Sequence, residues 1–273
     1  MEYKVNDLAI YYEEYGQGKP VLCLHGFTGD HRSMKGCLEP FFADVTGYRR
    51  IYIDMPGMGK TPAADWIKNA DTMLDVLKQF IKGVIGEEGF LLVGSSYGGY
   101  MCLGLAVDGE TNIDGIFMFS PCVVSDDDDR KVPDVEDDDL FVEDGLEEEF
   151  EDHEDFEDFL NEAVQATKEV WKRYQSEILP GYKMANKDFC KNYRENGYAL
   201  STEEKFGDLE LNKPVTVMVG KQDEGSGYED AWDKLNHLPK LTYVVLNGTG
   251  YFIQLENPAA FNFHLQDWLS KIK

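Results

Sequence analysis

Ser96 is the residue of this chain whose neighbours best suit it to covalent chemistry. It stands at the centre of Gly94-Ser95-Ser96-Tyr97-Gly98-Gly99, a G-x-S-x-G pattern, between the apolar run Phe90-Leu91-Leu92-Val93 and a helical stretch from about Gly98 to Asp108. In that context the pattern predicts a sharp strand–turn–helix elbow. The turn forces the serine into a strained backbone conformation, and small residues two before and two after let strand and helix approach. The start of the helix then aims backbone N–H groups at a developing oxyanion. In this architecture a second donor comes from the loop after an earlier strand. Here that loop is His25-Gly26-Phe27, which follows Val21-Leu22-Cys23-Leu24. The expected oxyanion donors are the backbone N–H groups of Phe27 and Tyr97, each typically worth ~2.7–4 kcal/mol in the transition state. His25 itself is expected to bond its own loop.

Strands and helices must alternate to position such an elbow, and the sequence alternates. Residues Tyr3 to Tyr15 read as a hairpin turning at Asn6-Asp7. The runs at 21–24, 50–53, 89–93 and 115–119 are short and apolar on both faces, as strands of a doubly covered parallel sheet are. Met73, Leu74, Val76, Leu77, Phe80, Ile81 and Val84 recur at helical spacing within 69–85. The pattern breaks at Pro121 and returns with strands at 214–219 and 242–246, a helix near 228–235 and a closing helix over 258–272. The expected organisation is a core of 1–121 and 209–273 interrupted by an inserted module, 122–208. Within the insert, Phe156, Phe159, Leu160, Ala163, Val164, Thr167, Val170, Trp171, Tyr174 and Ile178 suggest one amphipathic helix stopped by Pro180-Gly181. A shorter helix is expected over 187–196, capped by Gly197.

Charge narrows the functional classes. Acidic residues number 52 against 26 Lys and Arg, for a net charge of −26, which repels nucleic-acid phosphates and anionic lipid. The acidity is local: residues 126–158 carry 20 Asp or Glu and 2 Arg or Lys, a net −18. An EF-hand reading of this run fails, because a glycine at Gly145 would put Leu140 at the first ligand position. A solvated acidic face is the better reading. Gly57-Met58-Gly59-Lys60-Thr61 likewise fails as a phosphate loop, since Asp54 stands where the first glycine is required. Five widely spaced cysteines suggest neither a zinc site nor a disulfide framework. No metal or cofactor is expected. The first residues lack the pattern of a signal peptide, and no apolar run is long enough to span a membrane. The expected compartment is the cytoplasm.

Leu24-His25-Gly26-Phe27, Asp54-Met55-Pro56-Gly57-Met58-Gly59, the elbow, and Val219-Gly220-Lys221-Gln222-Asp223 together resemble the α/β-hydrolase superfamily in its cap-bearing branch. The motifs appear in the family's order and cover nearly the whole chain. The resemblance implies a mostly parallel α/β sheet, a helical cap at 122–208, and a small-molecule substrate whose identity the fold does not fix. It assigns Asp223 as the acid of a triad. It also implies a histidine in a G-H-x-x-x-x-E-x-P segment, which here reads Gly250-Tyr251 through Glu256-Asn257-Pro258, with Tyr251 in the histidine's place. A phenol of pKa about 10 is ionised roughly one time in a thousand at pH 7. A neutral phenol can donate a hydrogen bond to Asp223 but cannot readily accept the serine proton. Loss of a triad base costs on the order of 10⁶ in turnover. None of His25, His31, His153, His237 and His264 is well placed in sequence to replace it. The expected function is a serine hydrolase acting on an ester or amide-like small molecule, slow or inactive in this form; the alternative is a catalytically inactive binding protein of the same fold.

Overall fold

The computed structural model describes residues 1–136, 139–150 and 153–272. The chain opens with the hairpin β1 (Glu2–Val5) and β2 (Leu8–Gly16), turned by Asn6 at φ 54°. It continues through β3 (Lys19–Leu24), α1 (His31–Phe42), β4 (Tyr48–Ile53), α2 (Ala70–Val84), β5 (Phe90–Ser95), α3 (Tyr97–Asp108) and β6 (Ile113–Phe119). The stretch between β6 and β9, expected from the sequence to be an insert, carries β7 (Phe141–Val142), α4 (Leu146–Phe150), α5 (Phe156–Glu162), β8 (Gln165–Ala166), α6 (Lys168–Arg173), a π-helical turn (Tyr174–Ile178), α7 (Leu179–Met184) and α8 (Lys187–Asn196). The chain then adds β9 (Val215–Gly220), α9 (Glu229–Leu235), β10 (Leu241–Leu246), α10 (Ile253–Glu256) and α11 (Pro258–Ser270).

Eight strands form one sheet in the order β1-β2-β4-β3-β5-β6-β9-β10. The pairs β1/β2 and β2/β4 are antiparallel and the rest are parallel. The central strands bury both faces. Leu22, Leu24, Leu92, Ile116 and Met118 pack with α2 and α3 on one side. Val21, Cys23, Leu91, Val93 and Phe117 pack with α1 and α11 on the other. This period-two division of wholly apolar runs is what a sheet covered by helices on both faces requires. A third apolar cluster lies in the insert, where Phe156, Phe159, Trp171, Tyr174 and Ile178 meet Phe252 and Leu255 of the core. Ala185, Cys190, Tyr193 and Tyr198, from the second half of the insert, join the main core.

Three local readings of the sequence are corrected. The single amphipathic helix over 156–178 is broken: Ala163 turns extended (φ −99°, ψ 124°), Gln165–Ala166 pairs with Phe141–Val142, and Thr167 caps a new helix by accepting from the Val170 N–H. Pro180 does not stop the helix but opens α7, where a missing N–H is no loss. Gly197 does cap α8 as expected, its N–H donating to the Tyr193 carbonyl (2.9 Å), though at φ −155° and not in the left-handed region. Its glycine is needed because a Cβ would lie 2.1 Å from the Lys68 carbonyl oxygen. Finally, α1 is absent from the sequence reading. Gly36 and Pro40 weaken its helical signal, yet Asp30 caps it and Met34, Cys37, Leu38 and Phe42 bury one face.

Candidate active site

Ser96 follows β5 directly and is the N-cap of α3, with φ 50° and ψ −117°. A non-glycine residue at positive φ is costly, and it persists because the surroundings leave no alternative. A Cβ on Gly98 would lie 2.0 Å from the Leu24 carbonyl oxygen, and one on Gly94 would lie 2.6 Å from that of Gly98. Strand, elbow and helix therefore fit together only with glycine at both positions. The Ser96 N–H donates to the Phe119 carbonyl (3.2 Å), while its own carbonyl accepts from Tyr100 and Cys122 (both 3.1 Å).

The loop after β3 lies beside the elbow. A Cβ on Gly26 would be 3.3 Å from Ser96 Cβ and 3.5 Å from Tyr251 Oη, so all three groups converge. Among the described residues, neither the Phe27 nor the Tyr97 N–H has a backbone partner. The Phe27 ring packs edge-on against those of Tyr97 (5.5 Å) and Tyr198 (5.2 Å), which fixes the peptide that carries its N–H.

His25 is fully buried, and its Nε2 accepts from the Met55 N–H (3.0 Å) while Nδ1 faces the Gly26 carbonyl (2.7 Å). Burial lowers its pKa, which favours the neutral ring that this pair of bonds needs. Behind it, His31 Nδ1 bonds Asp54 (2.8 Å) and Nε2 faces Glu13 (3.2 Å). Asp30, His31 and Asp54 are close enough to suggest a metal site. Their atoms are already used, however: Asp54 takes the His31 and Lys60 N–H groups, and Asp30 takes Arg32. The cluster braces the loop. No histidine is among the residues lining the cavity over Ser96.

Asp223 follows β9 and is fully buried. Its Oδ1 accepts from the Gly225 and Ser226 N–H groups, both at 2.9 Å. Its Oδ2 is buried and has no partner among the described residues. The Ser120 hydroxyl donates instead to the Tyr251 carbonyl (2.8 Å). Burial outweighs those N–H bonds and the nearby Ser120 and Ser226 hydroxyls, and raises the Asp223 carboxyl to about 6.

Tyr251 does not make the bond to Asp223 that its sequence position suggests. Its hydroxyl instead stands beside Ser96, both lying within 3.5 Å of the place a Gly26 Cβ would take, while Asp223 acts on it as a nearby negative charge. The phenol is longer than an imidazole, which lets its hydroxyl come near the serine. Burial and Asp223 push its pKa well above the usual value. Glu256 holds this segment, accepting from the N–H groups of Gly250 (3.0 Å), Phe252 (3.1 Å) and, across to the insert, Gln165 (3.1 Å).

A cavity of about 540 Å³ opens over Ser96 and Tyr251 and is lined by Arg130, Glu162, Tyr182 and Gln222 among others. Gln222 entered the sequence reading only as part of the motif that ends at Asp223, and the other three did not stand out. Arg130 and Glu162 are two charges within or beside a long acidic run, and no spacing rule marks them as pocket residues.

The family model for the alpha/beta hydrolase fold matches residues 19–258, and the chain belongs to that family. It is 30% identical over 119 residues to pimeloyl-[acyl-carrier protein] methyl ester esterase of Legionella pneumophila (strain Corby), covering 43% of this chain and 45% of that protein. It is 33% identical over 96 residues to 2-hydroxy-6-oxo-6-(2'-aminophenyl)hexa-2,4-dienoic acid hydrolase of Metapseudomonas resinovorans, covering 35% of this chain and 33% of that one. The match thus spans less than half the length of these curated relatives. In three dimensions the chain is similar to an alpha/beta superfamily hydrolase from Oenococcus oeni PSU-1, with a TM-score of 0.91 and 30% identity over 100% of this chain and 99% of that one.

Proposed function

We propose that this chain is a serine hydrolase of small-molecule esters or amide-like compounds, slowed because Tyr251 stands where a histidine base is needed. The conformation of Ser96 carries the reading: a non-glycine residue at φ 50° in a glycine-locked elbow, beneath a cavity and beside two unpaired N–H groups. In this reading Ser96 Oγ attacks the substrate carbonyl carbon. The carbonyl oxygen takes up the electron pair and is held by the Phe27 and Tyr97 N–H groups. The carbonyl C–O or C–N bond then breaks, the departing alcohol or amine taking up a proton in place of the one lost by Oγ, and water releases the acyl group as an acid and restores the Ser96 hydroxyl. Asp223 is the acid that would orient a base. The insert, 122–208, serves as the cap over the core formed by 1–121 and 209–273. Five buried, unpaired cysteines fit a reducing cytoplasm.

The step without a catalyst is removal of the Oγ proton. A phenol held neutral by burial beside a carboxylate can donate to Ser96 or to a ligand oxygen, but it accepts a proton poorly. One observation favours the second reading, a binding protein without turnover: Asp223 Oδ2, which should hold the base, has no partner among the described residues. Tyr251→His separates the two. A gain in p-nitrophenyl butyrate hydrolysis that Ser96→Ala abolishes supports the hydrolase; background turnover in a correctly folded variant supports the binding protein.

A further inference from the structure

We propose that a second, smaller cavity beside Phe27 and Tyr251 holds the acyl end of the ligand, and that Gln254 recognises there a neutral hydroxyl on a two-carbon acyl group. The inference rests on the reading of Ser96 as a nucleophile facing an acyl carbonyl, and it adds the chemical class of the acyl group.

This cavity has a volume of about 30 Å³ and is lined by Gly26, Phe27, Ser95, Tyr251 and Gln254 among others. Tyr251 and Tyr182 line the larger cavity as well, so the two spaces adjoin at these side chains. A Cβ on Gly26 would lie 3.3 Å from Ser96 Cβ, which places the small cavity next to the serine. An ester seated on Ser96 therefore meets two compartments of very different size. The large one takes the alcohol side. The small one, walled by the buried Met34, Phe119, Ile178 and Phe252, has room for about one water-sized group.

Gln254 is the unpaired polar group of this wall. It is only 5% exposed, and its side-chain oxygen is buried with no hydrogen-bond partner among the described residues. The neighbouring cation does not supply one. Arg173 gives Nη1 to the Gln254 backbone carbonyl (2.7 Å) and Nε and Nη2 to Glu177 (2.7 and 2.9 Å). Ser33, also in the wall, donates its hydroxyl to the Asp30 carbonyl (2.9 Å). A buried amide oxygen without a donor is costly, and a ligand that brings the donor recovers that cost. Among the described residues no charged side chain lines the cavity, so an ammonium there would be buried without a counter-charge. A hydroxyl donates without that penalty. One water-sized group beyond the carbon attached to the carbonyl, carrying a neutral donor, describes a hydroxyacetyl group.

The test is calorimetric binding of three benzyl esters to the unmodified chain. Benzyl hydroxyacetate and benzyl propanoate have equal numbers of heavy atoms and differ by a hydroxyl for a methyl; benzyl hexanoate is three carbons longer than the propanoate. The hydroxyacetate is expected to bind on the order of tenfold tighter than the propanoate. The hexanoate should bind on the order of tenfold weaker than the propanoate, because its tail overfills the small cavity. Gln254→Met, which keeps the side-chain length and the backbone carbonyl that Arg173 holds, should erase the first difference and retain the second. Gln254→Leu is the second variant. If neither keeps the parent's melting temperature, the three esters on the unmodified chain decide alone. A hydroxyacetate no tighter than the propanoate, the result if water simply fills the space, overturns the proposal. So does a hexanoate bound as tightly as the propanoate, a hydroxyl preference that survives Gln254→Met with unchanged melting, or no detectable binding of any ester. The readout is affinity and does not require turnover. A failed Tyr251→His gain of activity removes the hydrolase reading, whereas a missing hydroxyl preference removes this assignment of Gln254 and leaves that reading standing.

Discussion

The Tyr251 hydroxyl stands beside Ser96, both within 3.5 Å of the place a Gly26 Cβ would take, while the buried Oδ2 of Asp223 has no hydrogen-bond partner among the described residues. An unpaired buried carboxylate oxygen is costly. It is also a ready-made acceptor for an N–H at position 251.

If the proposed hydrolase reading holds, Tyr251→His should raise ester hydrolysis by at least ~10³-fold, since it would supply the base whose absence is so expensive. Initial rates with p-nitrophenyl acetate and butyrate measure this. An unchanged rate, with native melting behaviour, would count against Ser96 as a nucleophile.

Asp223→Asn should be neutral to stabilising near pH 7. The carboxyl titrates at about 6 in the folded chain against 3.8 unfolded. The folded state thus holds its proton more tightly, and stability falls as pH rises through that interval, by up to about 3 kcal/mol in total. Glu256, raised to about 7, pushes the same way. Glu13, lowered to about 2 despite its burial by bonds from Lys35 and the Tyr11 and Tyr15 hydroxyls, acts oppositely and adds stability that is lost on acidification. Urea midpoints between pH 4 and 8 should fall with a shallower slope in Asp223→Asn than in the parent. An identical slope would show that this carboxyl is not the one titrating.

Glu256→Ala removes the acceptor of three N–H groups, Gly250, Phe252 and Gln165. A loss of about 3 kcal/mol is expected at roughly one per bond, along with faster amide exchange across 250–252. Protection unchanged at Phe252 would mean that the segment is held by other contacts.

Gly98→Ala should be far more damaging than a surface Gly→Ala change, because the new methyl would sit 2.0 Å from a backbone oxygen that cannot turn aside. We expect at least ~3 kcal/mol of destabilisation. A Gly207→Ala control, where a Cβ meets nothing within 4 Å, should leave the melting temperature nearly unchanged.

The sheet was legible because its strands are wholly apolar and its turns carry glycine, so local pattern and tertiary burial agree there. The elbow was legible for a related reason: backbone crowding at Gly94 and Gly98 admits no other residue. The insert was not. Its stripe of apolar side chains suits one helix, but the pairing of Gln165–Ala166 with Phe141–Val142 overrides helical propensity over a few residues. The destination of the Tyr251 hydroxyl was equally hidden, since sequence position supplies the residue but not how far its side chain extends.

The packing of α7 on the loop after β3 gives the site a mechanical property. A Cβ on Gly181 would lie 2.9 Å from the Asp30 backbone nitrogen, and Arg173 in α6 grips the Gln254 carbonyl at 2.7 Å. The insert is thus riveted at two points to the loops that bear Phe27 and Tyr251. A guest bulky enough to lift α7 would drag on the peptide beside Phe27 and loosen its N–H from the place where an oxyanion would sit. Size discrimination would then be felt first as lost geometry at the reacting atoms, before any clash at the walls.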